Sequence, residues 1–180
     1  FNFCELVNKI NGPLESFQDY MESLKGTYNL IYIDEGKMLI ARDPYGIKPM
    51  CFGKLKDTFI AVSESCALDA MNGEFLQDVE PGTIILVENG DYSVHHFSKK
   101  PHHLCLFEMI YIARHDSVID GVSVYQARYK TGERLYEECP TDGDIVIGSP
   151  DSGLIAAKGY AKASGIPFVD GILKNRYIQR

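Results

Sequence analysis

Four segments of the sequence hold residue types that could do chemistry. Arg42-Asp43-Pro44-Tyr45-Gly46-Ile47-Lys48-Pro49 sets two opposite charges ahead of a run punctuated by Pro, Gly and Pro. Pro44 fixes its own φ, Gly46 permits a positive φ, and Pro49 drives Lys48 to extended geometry. That combination describes a tightly specified turn between strands, in which Arg42 and Asp43 satisfy neighbouring backbone groups rather than react. Asp151-Ser152 stand just before an Ala-rich run; both types are preferred helix N-caps, and an acid in the first turn suits the helix dipole. Cys105 precedes an apolar stretch and, as a lone cysteine, is expected to be a small core residue. Lys174-Asn175-Arg176-Tyr177 joins two cations to an aromatic, apt for phosphates but equally a solvated strand end. The pairs His95-His96 and His102-His103 lack the neighbours a metal site needs.

Elements of two kinds must position these segments. In the first half, Leu14, Phe17, Tyr20, Met21 and Leu24 recur at helical steps, with Lys25-Gly26 as a stop. Short β-type runs follow at 28–33, 38–42, 50–53 and 59–63, then a helical patch near 67–71. Asp34-Glu35-Gly36-Lys37 and Asn89-Gly90 have hairpin chemistry, the second joining runs at 83–87 and 92–97. This half reads as a mainly antiparallel sheet with helices against it. The polar stretch 99–103, with Pro101, makes a domain seam. Beyond it come a helix over 123–138, with Val124, Ala127, Arg128, Gly132 and Leu135 on one side, and a fully apolar strand at 144–148. A tight loop at 149–153, a helix to Ser164 and another extended segment complete a βαβ-type unit with a buried parallel strand.

Composition narrows the class. With 180 residues, 45% hydrophobic and 24% charged, the chain is globular rather than disordered. A formal net charge of −7 argues against a general nucleic-acid or anionic-membrane binder. No apolar run approaches a membrane span, and no signal peptide is visible. Five cysteines without a C-x-x-C pair, most of them expected in the core, suit a reducing compartment, so a cytoplasmic location is expected.

The octapeptide at 42–49 resembles the R-D-P-x-G-[IL]-[KR]-P motif of class II glutamine amidotransferases, which use an N-terminal cysteine nucleophile. Further segments resemble the amidophosphoribosyltransferases among them: Val62-Ser63-Glu64-Ser65-Cys66-Ala67-Leu68-Asp69, Asp78-Val79-Glu80-Pro81-Gly82, Cys105 to Arg114 and Asp116 to Gly121. So do Ser123 to Arg128, Pro150-Asp151-Ser152-Gly153, Gly165-Ile166-Pro167 and Lys174-Asn175-Arg176-Tyr177. The resemblance covers essentially the whole chain. It implies an α/β protein, with an α+β first part: residues 1–100 as the later portion of an N-terminal-nucleophile glutaminase αββα sandwich, 101–120 as a connecting segment, and 121–180 as the start of a type I phosphoribosyltransferase parallel α/β domain.

The same resemblance implies an activity, the transfer of glutamine-derived ammonia to phosphoribosyl pyrophosphate at the first committed step of purine synthesis. Magnesium then accompanies the phosphoribosyl pyrophosphate, with Ser152 beside it, and Cys105 matches a first ligand of the [4Fe-4S] cluster that some members carry. Asp151, Ser152, Lys174, Asn175, Arg176 and Tyr177 would lie near phosphoribosyl pyrophosphate or purine nucleotide feedback inhibitors. A homo-oligomer is expected, with no nucleic-acid or membrane partner. No catalytic residue is assigned in these 180 residues: Cys4 is followed by Glu5 and reads as a helix-face residue, so the nucleophile is expected before Phe1 and the acidic substrate loop after Arg180. The chain by itself is therefore expected to be inactive. Two alternatives stand beside this reading: another class II amidotransferase resembling asparagine synthetase, or a non-catalytic nucleotide-sensing or assembly module on the same scaffold.

Overall fold

The structure is a computed structural model, and it describes residues 2–175 and 177. Arg176 of the cationic segment lies outside the described residues. The chain forms two compact units, Phe1–Cys105 and Leu106–Arg180, each taken by itself below.

The first unit begins with two helices, α1 (Phe3–Ile10) and α2 (Leu14–Ser23). The Asn2 side chain caps α1 by accepting from the amides of Cys4 and Glu5, while Pro13 presets the entry to α2. Seven strands follow: β1 (Asn29–Asp34), β2 (Lys37–Arg42), β3 (Cys51–Leu55), β4 (Thr58–Val62), β5 (Glu74–Asp78), β6 (Thr83–Glu88) and β7 (Asp91–His96), with α3 (Ser65–Ala70) between β4 and β5. They make an antiparallel four-stranded sheet, β1-β2-β6-β7, and a three-stranded one, β4-β3-β5. Both hairpins of the larger sheet turn as the sequence predicts. Glu35 and Gly36, and Asn89 and Gly90, all take positive φ, the two-residue geometry that matches strand twist.

Strand alternation sorts the core into layers. Leu39, Ala41 and Ile84 face α1 and α2, where Leu6, Phe17, Tyr20 and Met21 meet them. Ile40, Ile85 and Val87 face the opposite way, onto Met50, Phe52 and Val79 at the smaller sheet. On the far side of β3, Gly53 lies against Leu68 of α3. Helices, sheet, sheet, helix is the αββα order expected from the sequence. Strand β5 is an addition: its Glu-Phe-Leu-Gln-Asp run has too little apolar or β-branched character to announce itself, and it forms because β3 offers it an edge.

In the second unit, a π-helical turn at Glu108–Ile112 precedes the short hairpin β8 (Val118–Ile119) and β9 (Val122–Ser123). Helix α4 (Val124–Glu138) is capped by Ser123, whose hydroxyl accepts from the Gln126 amide, and α5 (Gly153–Ser164) ends at Gly165 in the left-handed region. Arg128 is buried and ties α4 to the π-helical turn, donating to the carbonyls of Met109 (2.7 Å) and Ala113 (2.8 Å).

Three local expectations change in this unit. The apolar run 144–148 is not a buried strand but an extended stretch with one parallel bridge, Val146 to Phe168. Ile145 and Ile147 stay 54% and 45% exposed, since α5 covers one face only, with Leu154 and Ala157 against Gly148. Leu135, expected on the buried side of α4, is exposed as well. The row 124–128–132 advances by four and reaches Tyr136, which packs edge-on against Tyr160, so Leu135 falls off the row. Finally, Ser152 occupies the N-cap position of α5 but has helical φ and ψ and makes no capping bond. A capping side chain reaches its target from extended geometry, which Ser152 lacks.

Candidate functional site

The turn at 42–49 is densely hydrogen-bonded. Arg42 and Asp43 are both 0% exposed. The Arg42 guanidinium donates from Nε to the Lys48 carbonyl (2.8 Å), from Nη1 to the Val79 carbonyl (2.7 Å) and from Nη2 to the Gly46 carbonyl (2.9 Å). Asp43 accepts from the amides of Tyr45 (2.9 Å) and Ile47 (3.3 Å) through its carboxylate, and its carbonyl accepts from those of Gly46 and Gly82 (3.0 Å each). A buried charge is tolerated when its bonding capacity is met, and main-chain groups meet it here. The structural reading of Arg42 and Asp43 fits this geometry: the pair organises a loop and presents no reactive atom to solvent. Pro44, Gly46 and Pro49 set that loop's path, and the Pro49 carbonyl accepts from Asn29 Nδ2 (2.7 Å).

A feature invisible in the sequence joins this turn. Residues 102–105 run alongside 45–47: the amide of His103 donates to Tyr45 O (2.8 Å) and that of Cys105 to Ile47 O (2.9 Å). The rings of Tyr45 and His103 meet edge-on, and Lys100 Nζ lies 5.1 Å from the Tyr45 ring centre. The polar seam read as a linker is thus stitched to the motif as far as Cys105. No periodicity could have shown this, because the bonds are between main-chain groups about sixty residues apart.

Cys105 is half-buried, and its amide is held while its thiol is in no disulfide. An iron–sulfur cluster takes four thiolates. Cys51 and Cys66 are buried, and among the described residues no three His, Cys, Asp or Glu side chains are grouped to hold a metal. The residues present do not fit a cluster on their own. The expectation of a mostly buried cysteine set also changes: Cys4 and Cys139 are exposed, being on or next to the solvent sides of α1 and α4.

This difference is measurable. Burial first, then Asp78 and other acidic neighbours, pushes the Cys51 thiol up to about 12. The folded state therefore keeps its proton above the ordinary cysteine range, and that contribution to stability is present at neutral pH and lost as pH rises through about 12. Ellman's reagent at neutral pH is expected to titrate Cys4 and Cys139 promptly, and Cys51 only after denaturant is added. Prompt reaction of Cys51 in the native protein would contradict the packing.

In the second unit, the loop before α5 meets the cationic segment. Lys174 Nζ lies 3.4 Å from Asp151 Oδ2, both half-exposed. Such a pair is worth about 0–1 kcal/mol in water. Asn175 Oδ1 accepts from the Tyr177 amide (2.9 Å), and the Tyr177 ring is 99% exposed. Asp151 and Ser152 supply hard oxygens of the sort magnesium takes, too few to hold the ion without further ligands. Earlier in this unit, a two-pronged hydrogen bond from Arg114 holds the Asp116 carboxyl below its usual range, across the turn at His115. No helix among the described residues is long and apolar enough to cross a membrane.

Known proteins resemble this chain across both units. Residues 3–70 match the glutamine amidotransferase domain family. The amidophosphoribosyltransferase of Archaeoglobus fulgidus is 44% identical over 160 residues, 88% of this chain and 35% of the relative. That of Pyrococcus horikoshii is 41% identical over 179 residues, 99% of this chain and 39% of the relative. Among solved structures, the glutamine phosphoribosylpyrophosphate amidotransferase of B. subtilis, complexed with ADP and GMP, superposes with a TM-score of 0.91 at 34% identity, covering 100% of this chain and 41% of that one. The allosteric regulatory enzyme of purine biosynthesis gives 0.90 at 35% identity, covering 97% and 39%. The chain spans a little over a third of the length of these relatives. In sequence over nearly its whole length, and in fold, this chain matches a segment of the amidophosphoribosyltransferases.

Proposed function

We propose that the protein containing this chain hydrolyses glutamine to glutamate and passes the ammonia to phosphoribosyl pyrophosphate, giving 5-phosphoribosylamine and pyrophosphate, the first committed step of purine synthesis. The observation that carries the reading is the continuity of the match: one set of relatives pairs with both units, in order, at 41–44% identity. A generic glutamine amidotransferase would share the first unit alone.

On this reading the two units divide the labour. The first is scaffold for glutamine hydrolysis, with Arg42 and Asp43 holding a loop. None of its cysteines precedes a glycine, so none is assigned as the nucleophile. The second approaches phosphoribosyl pyrophosphate through Asp151, Ser152, Lys174, Asn175, Arg176 and Tyr177. Magnesium, bound with that substrate, would neutralise the leaving pyrophosphate; Ser152 would stand beside it, its other ligands coming from residues beyond these. Cys105 serves a cluster only where thiolates from elsewhere in the protein complete it. The B. subtilis relative was solved with ADP and GMP, which supports purine nucleotides as ligands of this protein; that they act as inhibitors near the same segment is part of the proposal. A cytoplasmic homo-oligomer completes the proposal.

The test is the complete reading frame assayed for both half-reactions, beside the 180-residue chain alone. The complete protein is expected to release glutamate and, with phosphoribosyl pyrophosphate and magnesium, pyrophosphate in equal amount. The chain alone is expected to release neither. Glutamine-dependent amidation of aspartate with ATP consumption would favour the asparagine synthetase alternative. No turnover by the complete protein would favour a sensing or assembly module.

A further inference from the structure

The sheet-facing side of α1 and α2 does not cover the whole of the four-stranded sheet. The helices are joined through Asn11-Gly12-Pro13, and this connection stands off from the end of the β1–β2 hairpin. Between them lies a cavity of about 380 Å³, toward the lower end of small-molecule sites, which run from roughly 300 to 1,000 Å³. Its floor is apolar and fixed. Phe17 and Leu39 belong to the buried core, and Leu14 and Leu86 pack against it.

The rim is charged, with two acids and one lysine. Tyr32, Asp34 and Glu35 line it from β1 and the turn, with Lys37 from β2. Lys37 is engaged by Glu88 on β6 at 3.1 Å. The Tyr32 hydroxyl donates to Asp34 Oδ2 (3.1 Å), which leaves the phenol oxygen's lone pairs as acceptors. Lys9, the cation of α1, is turned to the Ser16 hydroxyl at 3.0 Å. Asp34 and Glu35 thus stand at the mouth against a single cation, Lys37, whose charge is met by Glu88 outside the lining. A rim of this sign repels carboxylates and phosphates and favours a positive head group above an apolar floor.

We propose that this cavity is a binding site for a small organic cation, an amine carried on a compact apolar body, seated with its body on Phe17 and Leu39 and its ammonium between Asp34 and Glu35. The site lies within the first unit, where the connection between α1 and α2 faces the β1–β2 turn.

The test uses the complete protein, with phenethylamine and its carboxylate counterpart hydrocinnamate as probes. Binding is read by saturation-transfer NMR and by the methyl shifts of Leu39 and Leu86. Phenethylamine is expected to shift those methyls and to be preferred over hydrocinnamate by about tenfold or more, the scale that one or two surface charges supply. The double substitution Asp34→Asn, Glu35→Gln should abolish the preference and leave the unfolding midpoint unchanged, since both positions are exposed. Equal binding of the two probes, shifts at other methyls, or a preference that survives the double substitution would overturn the assignment. Absence of phenethylamine binding at roughly 10 mM would overturn it too.

Discussion

Arg42→Met should cost the first unit about 3–5 kcal/mol, the scale set by leaving buried polar groups without their charged partner. Methionine fills a similar volume but donates nothing. The carbonyls of Gly46, Lys48 and Val79 would then face a side chain that cannot bond them, in a site where Arg42 is 0% exposed. Set against a domain stability of about 5–15 kcal/mol, the loss is large enough to appear as a strongly lowered urea midpoint. Arg42→Lys should recover little of it. A single ammonium cannot serve three carbonyls that a planar fork reaches from three directions. Hydrogen exchange would show where the loss falls, with protection reduced at 42–49 and at Val79. If Arg42→Met costs under about 1 kcal/mol, or Arg42→Lys is indistinguishable from the parent, the guanidinium is not what holds the turn.

The second large effect concerns the helix pair of the other unit. Gly132→Ala would ordinarily favour a helix, by about 1 kcal/mol. Here the added methyl would overlap the Ala156 carbonyl oxygen of α5, and on the facing helix a methyl at Gly159 would overlap the Tyr129 carbonyl oxygen. Both obstacles are backbone, so no rotamer change relieves them and the helices must separate. Each substitution is expected to lower stability by about 2 kcal/mol or more, the upper part of the range for overpacking. Lys130→Ala, on the exposed side of α4, should change it by less than about 0.5 kcal/mol. Loss of exchange protection in α4 and α5, with the first unit unchanged, is the expected pattern. A Gly132→Ala protein as stable as the parent would mean that the helices do not approach so closely.

Both predictions concern residues whose importance the sequence signals and whose partners it conceals. Arg42 stands out because of the Pro and Gly that follow it, which is local information. Its bond to Val79 spans 37 positions and depends on the two sheets lying face to face. Gly132 falls on the apolar side of a helix that the sequence places within a residue of its observed limits. That a second glycine, Gly159, meets the same seam emerges only when α5 is packed against α4. The loop at 149–153 shows the reverse case. Asp151 and Ser152 have strong local cap chemistry, yet Ser152 is itself helical and Asp151 reaches Lys174 instead.

What the sequence by itself determined is local: two hairpins from Glu-Gly and Asn-Gly turns, the helices α2 and α4 from their apolar spacing, and a run of motifs matching one kind of enzyme. These depend on φ preferences and on neighbours within four residues, so they are legible in a single string. The tertiary structure decided the rest. It sorted strand faces into layers, formed β5 on an edge that β3 exposed, and stitched residues 102–105 to the turn at 45–47. It also paired the run at 144–148 with Phe168 through one parallel bridge, and opened a cavity between the α1–α2 connection and the β1–β2 turn. Each of these outcomes rests on main-chain bonds or on surfaces brought together from far apart in the chain. A main-chain amide is the same group whatever side chain it carries, which is why such contacts leave so little trace in the residues that make them.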